Sequence, residues 1–205
     1  MGPKQRGTRG LSGFTLVEML TAIAILAILA SLALPAFGDL IKNNRRTVTL
    51  NELTAGLMLA RAESTRSGRP VVICGVDDAN ANHLLETTER VCSGLDWRDG
   101  WMVASWGDAD SDGVLDSGEL QAPLRVYLND YSGINITGSG FAAAPATGVL
   151  AMQPFNRASS TGRLTVCDAR GEQRSRGIEI SSTGRTRVLV NTTEDATTGT
   201  ALTCP

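Results

Sequence analysis

The first forty residues contain one almost unbroken apolar run. Residues 14 to 34 include a single charged side chain, Glu18. About 20 consecutive apolar residues are enough for a helix to cross a membrane, so this run predicts a membrane-spanning helix. Lys4, Arg6 and Arg9 precede it, and no acid lies among them. Because basic flanks stay in the cytoplasm, we expect the N-terminus to face inward and the rest of the chain to lie outside.

Beyond Pro35 the pattern changes to that of an amphipathic helix. Apolar residues recur at spacings of three, four and seven from Ile41 to Ala60, with charged residues between them. Proline can kink a helix without ending it, so we expect one helix to continue to about Arg66. The Ser-Gly-Arg-Pro sequence at 67–70 then supplies stop signals.

From residue 71 onward the pattern is one of short strands separated by polar turns. A long N-terminal helix followed by a β-rich region predicts an α+β fold, in which a sheet covers the apolar face of the helix. Residues 77–99 and 138–148 are expected to be loops. Strands are expected at residues 71–74, 100–106, 124–128, 134–137, 164–167, 177–181 and 186–190.

A cleaved secretory signal peptide is the alternative interpretation of the N-terminus, because its order is also basic, apolar and then small residues. The sequence Ser-Leu-Ala at 31–33 has the character of a cleavage site. However, the apolar run exceeds the roughly 7 to 15 residues of an ordinary signal peptide. A carboxylate inside that run is also costly. We therefore favour a helix that stays with the mature chain.

Composition fits one membrane helix and one folded domain. The chain has 205 residues and a formal net charge of −2, so charge alone gives no reason to expect a nucleic-acid partner. An even number of cysteines beyond the apolar run, on the oxidising side, predicts two disulfides with three possible connectivities. No CxxC spacing occurs and only His83 could join a metal site, so zinc is not expected. The cysteines are Cys74, Cys92, Cys167 and Cys204.

Residues 13–18, Gly-Phe-Thr-Leu-Val-Glu, together with the apolar helix and Pro35, resemble the N-terminus of type IV prepilins. The resemblance implies that a prepilin peptidase cuts between Gly13 and Phe14 and that the new amine of Phe14 is methylated. It also implies a filament core in which Glu18 offsets the cationic N-terminus of a neighbouring subunit. The physics agrees, because a buried carboxylate is tolerated when a positive partner reaches it.

The same resemblance implies a type IV pilin fold and a protein that resides in the bacterial inner membrane before it enters an extracellular or periplasmic filament. The expected segments are a cleaved leader at 1–13, a membrane and filament-core helix at 14–37, an amphipathic helix at 38–68 and a β-rich globular domain at 69–205.

Later segments resemble the FimT/FimU/GspH group, which comprises minor pilins of type IV pili and minor pseudopilins of type II secretion. The group suggests Cys74–Cys92 and Cys167–Cys204 as the disulfide pairs. The segments that support the resemblance are residues 71–74, Asp96-Trp97, Gly100-Trp101, Gly118-Glu119 and 182–185.

An acidic stretch between two expected strands has the spacing of an EF-hand calcium loop, with Gly113 at the sixth position. Short carboxylates at this spacing can converge on one cation. The flanks have strand patterns rather than helical ones, so the alternative is a solvated, metal-free turn. If calcium binds, we expect it to stiffen the loop; no cofactor is otherwise required. The candidate ligands are Asp108, Asp110, Asp112, Asp116 and Glu119.

A basic stretch follows, with seven arginines and three acids between residues 157 and 190. Arg185 and Arg187 are two apart on an expected strand, so they share a face near a hairpin tip and suit phosphate recognition. Gly184-Arg185-Thr186-Arg187 also matches a Gly-Arg-x-Arg motif that is associated with DNA binding in competence-type FimT pilins. The alternative is a solvated hairpin whose arginines keep a sheet edge soluble.

The combined resemblance implies a minor pilin that binds other pilin subunits and double-stranded DNA during uptake in natural transformation. The alternative is a structural pseudopilin of a type II secretion system, or a subunit that initiates pilus assembly without binding DNA. We do not expect an enzyme, because the chain has one histidine, His83, and no recognisable catalytic constellation. Trp97, Trp101 and Trp106 are expected to pack in the core or in turns.

Overall fold

The computed structural model describes residues 14–78, 91–92, 94, 96–107, 118–129, 133–141, 149–154, 157–159, 161–190 and 202–204. Within these residues the chain forms one long helix, α1 (Leu16–Ser67), and nine strands. The strands are β1 (Val71–Gly75), β2 (Gly100–Trp106), β3 (Leu120–Leu128), β4 (Ile134–Ser139), β5 (Leu150–Gln153), β6 (Arg157–Ala158), β7 (Gly162–Asp168), β8 (Arg176–Ile180) and β9 (Thr186–Val190).

Helix α1 continues through Pro35 and ends at Ser67. Gly68 follows with a φ of 67°, and its N–H donates to the carbonyl of Ser64 at 3.1 Å, which is how a glycine commonly closes a helix. The chain divides into two compact units between Ile41 and Lys42. We call the second unit, residues 42–205, the head.

The head contains two antiparallel sheets. One has the order β3-β2-β1-β5-β6 and the other the order β4-β7-β8-β9. Strand β5 was not expected from the sequence, although it pairs with β1 inside the first sheet. Strand β3 begins before its expected start and includes Pro123, which pairs with Ala104 where the register shifts. An edge strand with a bulge is where a sheet tolerates proline.

The core of the head lies between α1 and both sheets. Leu50, Leu53, Leu57 and Ala60 form the buried stripe of α1 and belong to one apolar cluster with strands of each sheet. A second cluster occupies the other side of the five-stranded sheet. This arrangement confirms the α+β fold that the sequence predicts. It also confirms the expectation for the tryptophans, because Trp97, Trp101 and Trp106 are all buried.

Candidate functional site

The start of α1 holds the carboxylate of Glu18 in a capping box. The N–H of Glu18 donates to Oγ1 of Thr15 at 3.2 Å, and the N–H of Thr15 donates to Oε2 of Glu18 at 3.4 Å. Thr-x-x-Glu at a helix start is the usual signature of this motif, and it satisfies two backbone donors that the helix cannot. Phe14 precedes the cap, and Gly13 lies outside the described residues.

Within the described part of the chain, nothing covers the apolar run of α1. The side chains from Phe14, which is 77% exposed, to Ile41, which is 49% exposed, are open to the surroundings. Among the described residues, this is one helix long and apolar enough to cross a membrane. An apolar surface of this extent indicates a site that lipid or other protein covers.

The turn between β8 and β9 presents the Gly-Arg-x-Arg residues. Gly184 is buried and has a φ of 65°, a left-handed conformation that glycine adopts without strain. Its N–H donates to the carbonyl of Ser181 at 2.8 Å, and the N–H of Ser181 donates to the carbonyl of Arg185 at 3.0 Å. The Arg185 side chain is exposed and forms no hydrogen bond or ion pair within the described part of the chain.

This turn is attached to two other elements of the head. Arg61 of α1 donates from Nη1 to the carbonyl of Gly184 at 3.4 Å. The N–H of Ala158, in β6, donates to the carbonyl of Ser182 at 3.0 Å. The turn that positions Arg185 is therefore braced from the helix and from the other sheet.

Arg187 lies within β9 and has a different environment from Arg185, which precedes that strand. Its Nη2 and Nε lie 2.9 Å and 3.2 Å from Oε2 of Glu179 on β8. Arg163 on β7 reaches Oε1 of the same carboxylate at 3.5 Å. The three residues are cross-strand partners. Glu179 is thus paired with two arginines. Of the two arginines in the Gly-Arg-x-Arg motif, Arg185 is the one that forms no ion pair with a described side chain.

Arg170, Arg174 and Arg176 of the basic stretch lie elsewhere, near a buried ion pair. Arg170 donates from Nη2 to Oδ2 of Asp168 at 2.6 Å, and Arg46 of α1 approaches the same oxygen at 3.7 Å. Hydrogen bonds from Arg170 hold the pKa of Asp168 below its usual value. Asn43 accepts from both guanidinium groups at 3.0 Å. The structure therefore divides the basic stretch into two groups.

Of the five candidate calcium ligands, the structure describes Glu119. Glu119 is buried and accepts the indole N–H of Trp106 on Oε2 at 3.3 Å. Among the described residues no cluster of carboxylates, cysteines or histidines is arranged to hold a metal ion. The other candidate calcium ligands, Asp108, Asp110, Asp112 and Asp116, lie outside the described residues.

The head contains the disulfides Cys74–Cys92 and Cys167–Cys204, which is the pairing that the resemblance implies. The second bridge ties the C-terminal residues to β7. Next to it, Leu202 is buried and lies so close to Gly177 that a Cβ there would come within 2.9 Å of the leucine side chain. The C-terminal residues thus cover part of the four-stranded sheet.

Comparisons with known proteins agree with these features. The family model "Type II transport protein GspH" matches residues 49–184, which is more than half of the chain. A second model, for the prokaryotic N-terminal methylation motif, matches residues 9–34. An apolar N-terminal helix with this motif and an antiparallel β head define a membrane-anchored, type IV pilin-like protein. The chain belongs to the GspH family, which places it among the minor pilins and pseudopilins.

Two curated relatives come from Moraxella bovis. Fimbrial protein Q is 37% identical over 76 residues, which cover 37% of this chain and 48% of that protein. The type IV major alpha-pilin is 42% identical over 60 residues, which cover 29% of this chain and 38% of that protein. The chain thus spans less than half the length of the curated relatives it matches.

Two crystal structures of the type IV minor pilin FimU from Pseudomonas aeruginosa strain PAO1 are similar to this chain. One has a TM-score of 0.46 and covers 69% of this chain. The other has a TM-score of 0.49 and covers 72% of this chain. In both cases the sequence identity is 21% and 90% of the FimU chain is covered.

Proposed function

We propose that this chain is a minor pilin of a type IV pilus, cleaved after Gly13, methylated on Phe14 and assembled with other pilin subunits through α1. The observation that supports this most is the exposed apolar surface from Phe14 to Ile41, which contains the capped Glu18 near its start. In a filament, apolar helices of neighbouring subunits cover one another, and the Glu18 carboxylate meets the cationic N-terminus of a neighbour. A prepilin peptidase is the implied processing partner.

We further propose that the head binds double-stranded DNA through the turn at Arg185. Support comes from the exposed guanidinium of Arg185, which a braced turn holds outward without an internal partner. A guanidinium fork suits phosphate oxygens, and contacts of this kind position DNA without selecting a sequence. Binding should therefore be independent of sequence and sensitive to salt.

The test is an electrophoretic mobility shift of duplex DNA by the full mature chain in nonionic detergent. The Arg185→Ala/Arg187→Ala variant removes the candidate site. The matched control is Arg98→Ala/Arg125→Ala, which removes two exposed positive charges from other strands and loops of the head. The proposal expects a shift with the wild type and the control, and a weaker shift with the candidate-site variant. No shift by the wild type at low salt would refute DNA binding.

A structural subunit without DNA binding is the second candidate function, either in a type II secretion pseudopilus or in the initiation of pilus assembly. The ion pair between Arg187 and Glu179 favours it, because half of the Gly-Arg-x-Arg charge is already engaged inside the head. The description of the matching family as a type II transport protein also favours it. Loss of secretion, rather than loss of piliation, on deleting the chain would support this candidate.

A further inference from the structure

Five cations of the head make up what we call the basic cluster. Lys42 and Arg46 belong to α1, one turn apart. Arg170, Arg174 and Arg176 come from the connection between β7 and β8 and its ends. Burial lowers the pKa of Arg46, and the charges of Arg170, Arg176 and Arg174 lower it further, against the opposing effect of Asp168. The three arginines therefore lie close enough to Arg46 to repel it.

The described acidic side chains of the head pair with only some of these five cations. The carboxylate of Asp168 is taken up by Arg170 and Arg46. Glu172 uses Oε1 to accept the N–H of Cys204. Among the described residues, Nε and Nη1 of the buried Arg46 have no hydrogen-bond partner. Within the described part of the chain, Lys42, Arg174 and Arg176 make no side-chain hydrogen bond or ion pair, and Lys42 and Arg174 are exposed.

The position of the basic cluster along the chain indicates which layer of the membrane it contacts. The segment from residue 14 to residue 41 has 28 residues, of which Glu18 and Asp39 are charged. At a rise of about 1.5 Å per residue this segment makes about 42 Å of helix, against a bilayer thickness of about 40 to 45 Å with its headgroups. Lys42 follows directly. A helix that crosses the membrane over this length delivers the first residues of the basic cluster to the level of the lipid phosphates.

We propose that the basic cluster binds the headgroups of anionic phospholipids on the non-cytoplasmic surface of the membrane, and so holds the head against that surface before assembly. The inference rests on the proposed membrane insertion of α1 and is independent of DNA binding at Arg185. Each basic side chain beside an anionic surface adds about fivefold to the preference for the bound position. DNA is the less suitable partner here, because an anionic bilayer within about 10 Å repels its phosphates.

The experiment places the full mature chain in lipid nanodiscs and measures how near the head lies to the membrane. A fluorescent unnatural amino acid replaces the exposed Gln173, and a nitroxide on a fraction of the phosphatidylcholine headgroups quenches it on approach. Discs of phosphatidylcholine alone are compared with discs in which about one-third of the lipid is phosphatidylglycerol. The test variant is Lys42→Gln/Arg174→Gln. The matched control is Arg69→Gln/Arg125→Gln, which removes two exposed cations outside the basic cluster.

The proposal expects quenching to increase with phosphatidylglycerol and to fall to the phosphatidylcholine level at about 0.5 M salt, where screening is strong. The Lys42→Gln/Arg174→Gln variant should lower the ratio of bound to free heads by roughly thirtyfold, while the control retains it. Equal quenching in both kinds of disc would overturn the inference. So would a control variant that loses as much quenching as the test variant. A chain that fails to enter nanodiscs would instead refute the membrane helix of the proposed function.

Discussion

Thr15 and Glu18 cap each other across the first turn of α1, each accepting the backbone N–H of the other on its side chain. The carboxylate that the prepilin resemblance assigns to contact between subunits therefore also has a task inside its own subunit. A capping interaction contributes about 1 kcal/mol to a helix end. The two tasks depend on different properties of Glu18, since the cap needs an acceptor oxygen and the subunit contact needs a negative charge.

Substitutions at these two positions separate the two tasks. Glutamine completes a capping box as glutamate does, so Glu18→Gln keeps the cap and loses the charge. Thr15→Ala loses the cap and keeps the charge. We predict that Glu18→Gln is cleaved but absent from sheared filaments, whereas Thr15→Ala still enters them. Immunoblots of the filament and membrane fractions measure this. Normal incorporation of Glu18→Gln would show that its charge is dispensable.

Glu179 limits the positive charge at the candidate DNA site, because it pairs with Arg163 and Arg187. Glu179→Gln should remove the negative charge that pairs with the exposed Arg187 and so tighten DNA binding. One added phosphate contact is worth about eightfold in affinity at about 0.1 M salt and steepens the salt dependence by about 0.9 in log–log slope. Arg185→Ala should have the opposite effect of similar size. Titrations at several salt concentrations measure both, and unchanged affinity in both variants would exclude this surface.

Asp168 should make the head sensitive to acid. Its pKa is lowered, first by the hydrogen bond from Arg170. The unfolded carboxyl therefore binds a proton at higher pH than the folded one, so the stabilisation is complete near neutral pH and is lost as pH falls below about 4. Asp168→Asn should cost about 3 kcal/mol at neutral pH, because it leaves Arg46 buried without its counter-charge. Thermal melting against pH tests this.

Comparing the wild type with Asp168→Asn separates the effect of Asp168 on acid sensitivity from the effects of other carboxylates. The melting temperature of the wild type should approach that of Asp168→Asn as pH falls. A constant difference between the two curves down to pH 2 would contradict the assignment.

Gly100 is predicted to be a position where no side chain fits. It has a φ of 142°, and a Cβ there would lie 2.2 Å from the carbonyl oxygen of Tyr127. Gly133 has a φ of 83°, and no described atom lies within 4 Å of the Cβ that a substitution there would add. We expect Gly133→Ala to cost about 1 kcal/mol from its backbone conformation alone. Gly100→Ala should cost at least about 2 kcal/mol more, because the β2–β3 pairing must shift. Equal melting temperatures for the two variants would refute the close approach.

Much of this fold follows from local patterns in the sequence. The long helix, the α+β class and the burial of the tryptophans were all predictable, because apolar periodicity reports which face of an element is buried. Strand β5 was missed for a physical reason. It has four residues, Leu150–Gln153, and no alternation, since it lies inside a sheet with nearly every side chain buried. A short apolar run of this kind has no periodicity that separates strand from loop.

The sequence predicted which arginines form the candidate site, but it did not predict which ion pairs they make. The sequence placed Arg185 and Arg187 two apart on one expected strand near a turn. In the structure β9 begins at Thr186, so Arg187 lies in the strand and Arg185 belongs to the turn before it. The sequence did not indicate that Glu179 takes up Arg187, because that contact depends on the register between β8 and β9. Arg46 and Asp168 are more than a hundred residues apart, so their ion pair also depends on tertiary packing.

We propose above all that α1 follows a newly made N-terminus at Phe14 and packs among similar helices. The direct test is N-terminal sequencing with intact mass analysis of the native protein, isolated from membranes and from sheared filaments. We predict a chain that begins at N-methylated Phe14 in both fractions, with the apolar segment retained. A native chain that begins at Met1, or at any residue beyond Ala33, would contradict the account.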